Sequence, residues 1–189
     1  MDKKSYVRRQ EKAGNDLIQL ALDSDEFKKK YECGKLKPVQ PLWHTDMDKI
    51  KIRRDKEHLK PSNTDLIINN IDVDQLLKSL DEESKVIFME KTLFNNKMNS
   101  IKTYQVVTYW TKRRKLIPPR IFWEKDTDSL RIEDGRHRLN AAYCYGVKMI
   151  PVVIYKHQFS EVVNHLGIDS SFFSAESPAS GTLAECSRP

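Results

Sequence analysis

Apolar residues recur at helical spacing in Leu17, Leu20 and Ala21 after a charged start, which predicts a first helix ending near Asp23, with Ser24 able to cap a shorter helix through Tyr31. Gly34 supplies a stop signal. The stretch KLKPVQPLWHTD holds two prolines and no period, so it reads as a connector. DKIKIRRD then alternates apolar and basic residues as a short strand does, with Ile50 and Ile52 facing the core. From Asp72 onward the pattern predicts one or two helices, with Leu76, Leu77 and Leu80 on one apolar face and Val86, Ile87, Met89 and Leu93 on the next; Asn95 and Asn96 offer a break. SIKTYQVVTYWTKRRKL predicts a further helix with Val106, Val107 and Trp110 on its apolar side and Lys112, Arg113, Arg114 and Lys115 at its C-terminal end, where cations complement the helix dipole. Pro118 and Pro119 prevent continuation.

The pattern then changes period. RIFW is a short apolar run, EKDTDS is rich in turn formers, and LRIE alternates Leu130 and Ile132 with Arg131 and Glu133, which together predict a hairpin. After Gly135, small or apolar residues at Leu139, Ala142, Tyr143 and Gly146 fall at helical spacing, and Gly146 suits the stop. MIPVVIYK predicts an apolar strand with Pro151 near its start, where a missing ladder donor is best tolerated. A weak helix, FSEVVNHLG, leads into a tail whose Ser, Ala and Gly bias predicts mobility, with Phe172 and Phe173 as its apolar anchors.

Composition adds limits rather than identity. A chain of 189 residues is long enough for one compact unit. The expected organisation is an N-terminal helical extension over 1–47, an α+β domain over 48–168 and a flexible tail over 169–189. A net charge of +6 favours anionic partners. Cys33, Cys144 and Cys186 lack metal-ligand spacing and argue for reduced thiols. With no apolar run of membrane-spanning length and no signal-peptide core, the sequence reads as a cytoplasmic protein without a membrane partner.

The candidate chemistry lies in RIEDGRHRLNAAYCYG. A strand that stops at a glycine and turns into a helix gathers unpaired N–H groups and the positive end of the helix dipole at one point, which is a seat for an anion. Gly135 lets the backbone approach a phosphate, and Arg136, His137 and Arg138 surround that point with donors. Asn140 follows one turn later as a further candidate ligand. Glu133 and Asp134 could hold a Mg²⁺ that bridges phosphates, or act with His137 in acid-base catalysis. Plainer roles compete: Glu133 as an outward strand residue, and Asp134 as a cap. Lys112, Arg113, Arg114 and Lys115 could instead hold a nucleic-acid backbone, with Tyr104, Tyr109 or Trp110 stacking a base, although its spacing places Trp110 in the core.

IEDGRHRLNAAYCYGVKMIPVVI resembles the signature of the ParB/sulfiredoxin superfamily: a glycine, a variable residue, His or Arg, then Arg at the start of a small-residue helix, followed by a glycine and an apolar strand. The likeness spans residues 48–156 in outline and is specific from about 117 to 155. It implies a small mixed sheet with packed helices. It also implies that Gly135, His137 and Arg138, and more loosely Asp134 and Arg136, bind the phosphates of a nucleoside triphosphate or of nucleic acid. Arg136 stands where sulfiredoxins carry their reactive cysteine and where the chromosome-partition members carry a metal-binding glutamate, so neither chemistry is implied. No helix-turn-helix follows Tyr155. The DGRHR form is closest to DGHHR-like members, which resemble small-substrate kinases, nucleotide hydrolases and nuclease-like proteins, often encoded by phages or mobile elements. Two function classes follow: an enzyme that hydrolyses or transfers a triphosphate's terminal phosphate, and a non-catalytic DNA or RNA binder using the same seat.

Overall fold

The computed structural model describes residues 3–46, 53–54, 57–58 and 65–168, with side chains of the first helix described from residue 13. It is an α+β fold. A long helix α1 (Lys3–Glu32) leads through the two-residue strands β1 (Arg53–Arg54) and β2 (Glu57–His58) to β3 (Asp65–Asp72). Helices α2 (Val73–Ser79), α3 (Glu82–Lys85) and α4 (Ser100–Thr111) come next, and then the strand pair β4 (Arg120–Glu124) and β5 (Ser129–Asp134). Helix α5 (Arg136–Cys144), strand β6 (Met149–Tyr155) and helix α6 (Phe159–His165) complete the described chain.

The main sheet has the order β3-β6-β4-β5, with β6 antiparallel to β3 and parallel to β4. Its inner position explains the unbroken apolar run of β6, in which Ile150, Val152, Val153 and Ile154 are all buried. Pro151 lacks a ladder donor, and the register of β3 shifts opposite it, between Ile68 and Ile71. The bulge includes Asn70 in the left-handed region at φ 58°. Strand β3 therefore bends where β6 has no N–H to offer.

Helix starts follow side-chain caps. Asp72 accepts from the Gln75 amide at 2.8 Å, Asp81 from Ser84 at 3.0 Å and Asn99 from Lys102 at 3.0 Å. Gly34 and Gly146 end α1 and α5 at φ 67° and 74°, and the next residues, Lys35 and Val147, bond back to the carbonyls of Lys30 and Ala142. Both stops agree with the sequence pattern.

Four expectations require correction or fall outside the description. Helix α1 does not end near Asp23, because Ser24 lies inside it and is fully buried. Met89 is exposed rather than part of an apolar face. Helix α4 stops at Thr111, and Arg113 adopts φ 55°, so the basic run follows the helix instead of closing its last turn. Ile50, Ile52, the domain boundary at 48 and the tail over 169–189 lie outside the described residues. Among the described residues no helix is long and apolar enough to cross a membrane.

Candidate functional site

Strand β5 ends at Asp134 and α5 begins at Arg136, with Gly135 between them at φ 90°. A Cβ on Gly135 would stand 2.8 Å from Pro119 Cα, so both the dihedral and the space require glycine. Gly135 is the N-cap residue of α5, and no side chain caps that helix. The first amides of α5 therefore have no side-chain acceptor, and Gly135 to Arg138 line the adjacent cleft.

That cleft has a volume of about 650 Å³ and runs between α4 and the start of α5. Lys97, Lys102, Arg136 and Arg138 line it together with His137 and the carboxylates Glu133 and Asp134, so cationic groups outnumber acidic ones around the open helix end. Lys102, Gln105, Val106 and Tyr109 contribute one face of α4 at the spacing i, i+3, i+4, i+7. A hollow of comparable size, about 590 Å³, lies at the other end of α5 between Leu77, Phe88, Met89 and Tyr143 and is chiefly apolar.

Within the motif the side chains divide. Arg138 donates to the Ile117 carbonyl at 2.7 Å and to Asp134 Oδ2 at 2.6 Å, and its side chain is only 14% exposed. It clamps the strand-helix junction to the segment before β4. Asp134 accepts from the Gly135 amide at 2.7 Å through its other oxygen, which tightens the turn without capping α5. Arg136 is exposed and lines the cleft. Asn140, expected among the phosphate ligands, is fully buried, and its amide donates to the Thr92 carbonyl at 3.0 Å. Its role is to hold the loop ahead of α4.

His137 has a buried Nε2 with no hydrogen-bond partner among the described residues. Burial, reinforced by Lys102, Arg136 and Arg138, lowers its pKa from 6.5 to about 4 against the opposing pull of Asp134. The imidazole is therefore neutral at pH 7.

Glu133 also lines the cleft and is held by residues of the sheet. Its carboxylate accepts from Tyr155 Oη at 2.9 Å and lies 3.6 Å from Arg120 Nε. The Arg120 guanidinium also lies over the Tyr155 ring, 4.9 Å from its centroid. Burial and the bond to Glu133 raise the Tyr155 pKa. Arg120 and Tyr155 had no local sequence signal, because β4 and β6 bring them to Glu133 only in the folded sheet.

Glu133 and Asp134, the expected metal ligands, are both engaged by cationic partners. Among the described residues no group of three His, Cys, Asp or Glu side chains could hold a metal ion. The arrangement does not fit a resident metal, and a Mg²⁺ here would have to enter already coordinated by phosphates.

The basic run splits between two surfaces. Arg114 lies over the Tyr109 ring at 5.6 Å, at the cleft, whereas Arg113 lines a separate hollow with Val39, Leu42 and Trp110. Lys112 and Lys115 are exposed. Trp110 is core: it donates to the Leu42 carbonyl at 3.1 Å and packs edge-on against Trp43. Tyr104 packs against Phe27, so of the three candidate aromatics Tyr109 alone lines the cleft. Cys144, with its pKa raised by burial to about 11, is not a reactive thiol at pH 7.

No family model matches the chain, and no curated protein or solved structure matches it.

Proposed function

We propose that this chain binds a nucleoside triphosphate with its phosphates at the N-terminal end of α5, and that it hydrolyses or transfers the terminal phosphate. The observation that carries the reading is the uncapped helix start behind Gly135, opening into a cleft lined by Lys97, Lys102 and Arg136. Anionic oxygens are favoured there by backbone amides, by the helix dipole and by side-chain cations together. The resemblance of the DGRHR segment to nucleotide-binding ParB/sulfiredoxin-like proteins supports the same assignment.

In this reading Arg136 and Lys102 contact phosphate, while Arg138 and Asp134 act as positioning residues that fix the turn. His137 is the proton-handling candidate. Its neutral imidazole holds a buried Nε2 without a partner among the described residues, and an added phosphate charge nearby raises its basicity. Glu133, tied to Tyr155 and Arg120, orients the strand end rather than serving as a free base. Mg²⁺ belongs to the reading only as an ion carried in by the triphosphate.

Calorimetry with the common ribo- and deoxyribonucleoside triphosphates in the presence of Mg²⁺, paired with a phosphate-release assay, tests this. One-site binding of at least one triphosphate is expected, and no heat with any of them removes the proposal. A DNA- or RNA-binding reading is favoured by the exposed basic residues that continue from Arg114 at the cleft. It predicts a different salt response, since a binder neutralising 6–10 phosphates loses roughly 10³–10⁵ in affinity between 50 and 200 mM salt.

A further inference from the structure

The wall of α4 that carries Lys102 continues away from the phosphate seat, and its far end is aromatic. Tyr109 lies seven residues after Lys102 on the same helix face, about 10 Å along the helix axis. It is 39% exposed and lines the cleft. The exposed Arg114 guanidinium lies over one side of its ring, 5.6 Å from the centroid, and adds cationic character beside it. Gln105, one turn before Tyr109, lines the same wall and offers both an amide donor and an acceptor. An exposed aromatic ring, a neighbouring guanidinium and an amide on the same helix face are groups that receive a planar heterocycle.

We infer that Tyr109 is the stacking platform for the nucleobase, with Gln105 placed to meet the base edge. This rests on the reading of the cleft as a phosphate seat. The ligand class follows from the spacing. An axial offset of about 10 Å between Tyr109 and Lys102 suits a ligand that carries its base at one end and its phosphates at the other, as a nucleoside triphosphate does. The site is thereby distinguished from one built for inorganic polyphosphate or a phosphorylated sugar, neither of which has an aromatic ring to stack.

Calorimetric affinities for ATP and for inorganic tripolyphosphate, measured on the full chain as wild type, Tyr109→Leu and Tyr109→Phe, test the inference. Wild type is expected to bind ATP about tenfold more tightly than tripolyphosphate, from the stacking of one base. Tyr109→Leu should abolish that advantage while leaving tripolyphosphate affinity unchanged, and Tyr109→Phe should retain it. Because Tyr109 is exposed, both variants are expected to fold, and an unchanged melting curve confirms that for each. An ATP advantage that survives Tyr109→Leu overturns the stacking role, as does an equal affinity for the two ligands in wild type. If wild type binds neither ligand, the phosphate seat itself fails and the inference falls with it.

Discussion

Arg136 and Arg138 are two residues apart and chemically identical, yet they occupy opposite situations. The Arg138 fork is used inside the protein, on the Ile117 carbonyl and on Asp134. Removing it in Arg138→Ala leaves a partly buried carbonyl without its donor, and stability should fall by about 1–3 kcal/mol in chemical denaturation. Arg136→Ala removes an exposed side chain, so stability should change by less than about 0.5 kcal/mol while affinity for ATP drops roughly tenfold. The reverse pattern, a stable Arg138→Ala and an unstable Arg136→Ala, would mean that the junction is held differently. His137 gives a pH signature of its own. Its folded-state pKa, about 4, lies below the ordinary 6.5, so between those values the unfolded chain takes up a proton that the folded protein refuses. Stability contributed by the neutral imidazole is therefore present above pH 6.5 and is lost as pH falls toward 4. Denaturation midpoints of His137→Gln should fall less steeply than wild type across that window, and parallel profiles would contradict the burial of the ring.

At the scale of elements, the β5–α5 junction depends on one glycine. Gly135→Ala combines a strained φ of 90° with a Cβ 2.8 Å from Pro119 Cα, a backbone atom held before β4. A loss of about 1–3 kcal/mol in stability is expected, read as a lowered melting temperature. A variant as stable as wild type would show that the turn relaxes freely. This junction was legible in the sequence because its signals are local: the alternation of LRIE, the glycine, then helical spacing from Leu139. The same holds for the apolar strand β6 and for the stops at Gly34 and Gly146. Strand β3 was not legible. Its apolar triplet Leu66, Ile67 and Ile68 is followed by two asparagines, and it becomes a strand through pairing with β6, some 80 residues later in the chain. Ser24 misled for a related reason. A serine after an apolar triplet suggests a cap, but burial within the α1–α4 packing carries the helix through it. The cleft is similarly a product of packing. Lys97, Lys102 and Tyr109 sit more than 20 residues before the motif and reach it only because α4 lies against α5.

Among the described residues, a sheet with a buried inner strand is joined to a helical layer, and the start of α5, which no side chain caps, adjoins a large cleft rich in basic residues. The surrounding groups make that place rigid rather than adaptable. Arg138 and Asp134 fix the turn, Tyr155 and Arg120 hold Glu133, and Asn140 anchors the loop ahead of α4. In the proposed reading, ligand contact falls on a few groups: the first amides of α5, Arg136, His137 and Lys102. Amide chemical shifts in a ¹⁵N-resolved titration with inorganic tripolyphosphate report on those backbone groups directly. Saturable shifts centred on the amides of Arg136, His137 and Arg138, with smaller changes at Lys102, are the predicted result. Shifts confined to Lys112, Arg113, Arg114 and Lys115 would place the anion on the basic run instead, and would contradict a phosphate seat at the start of α5.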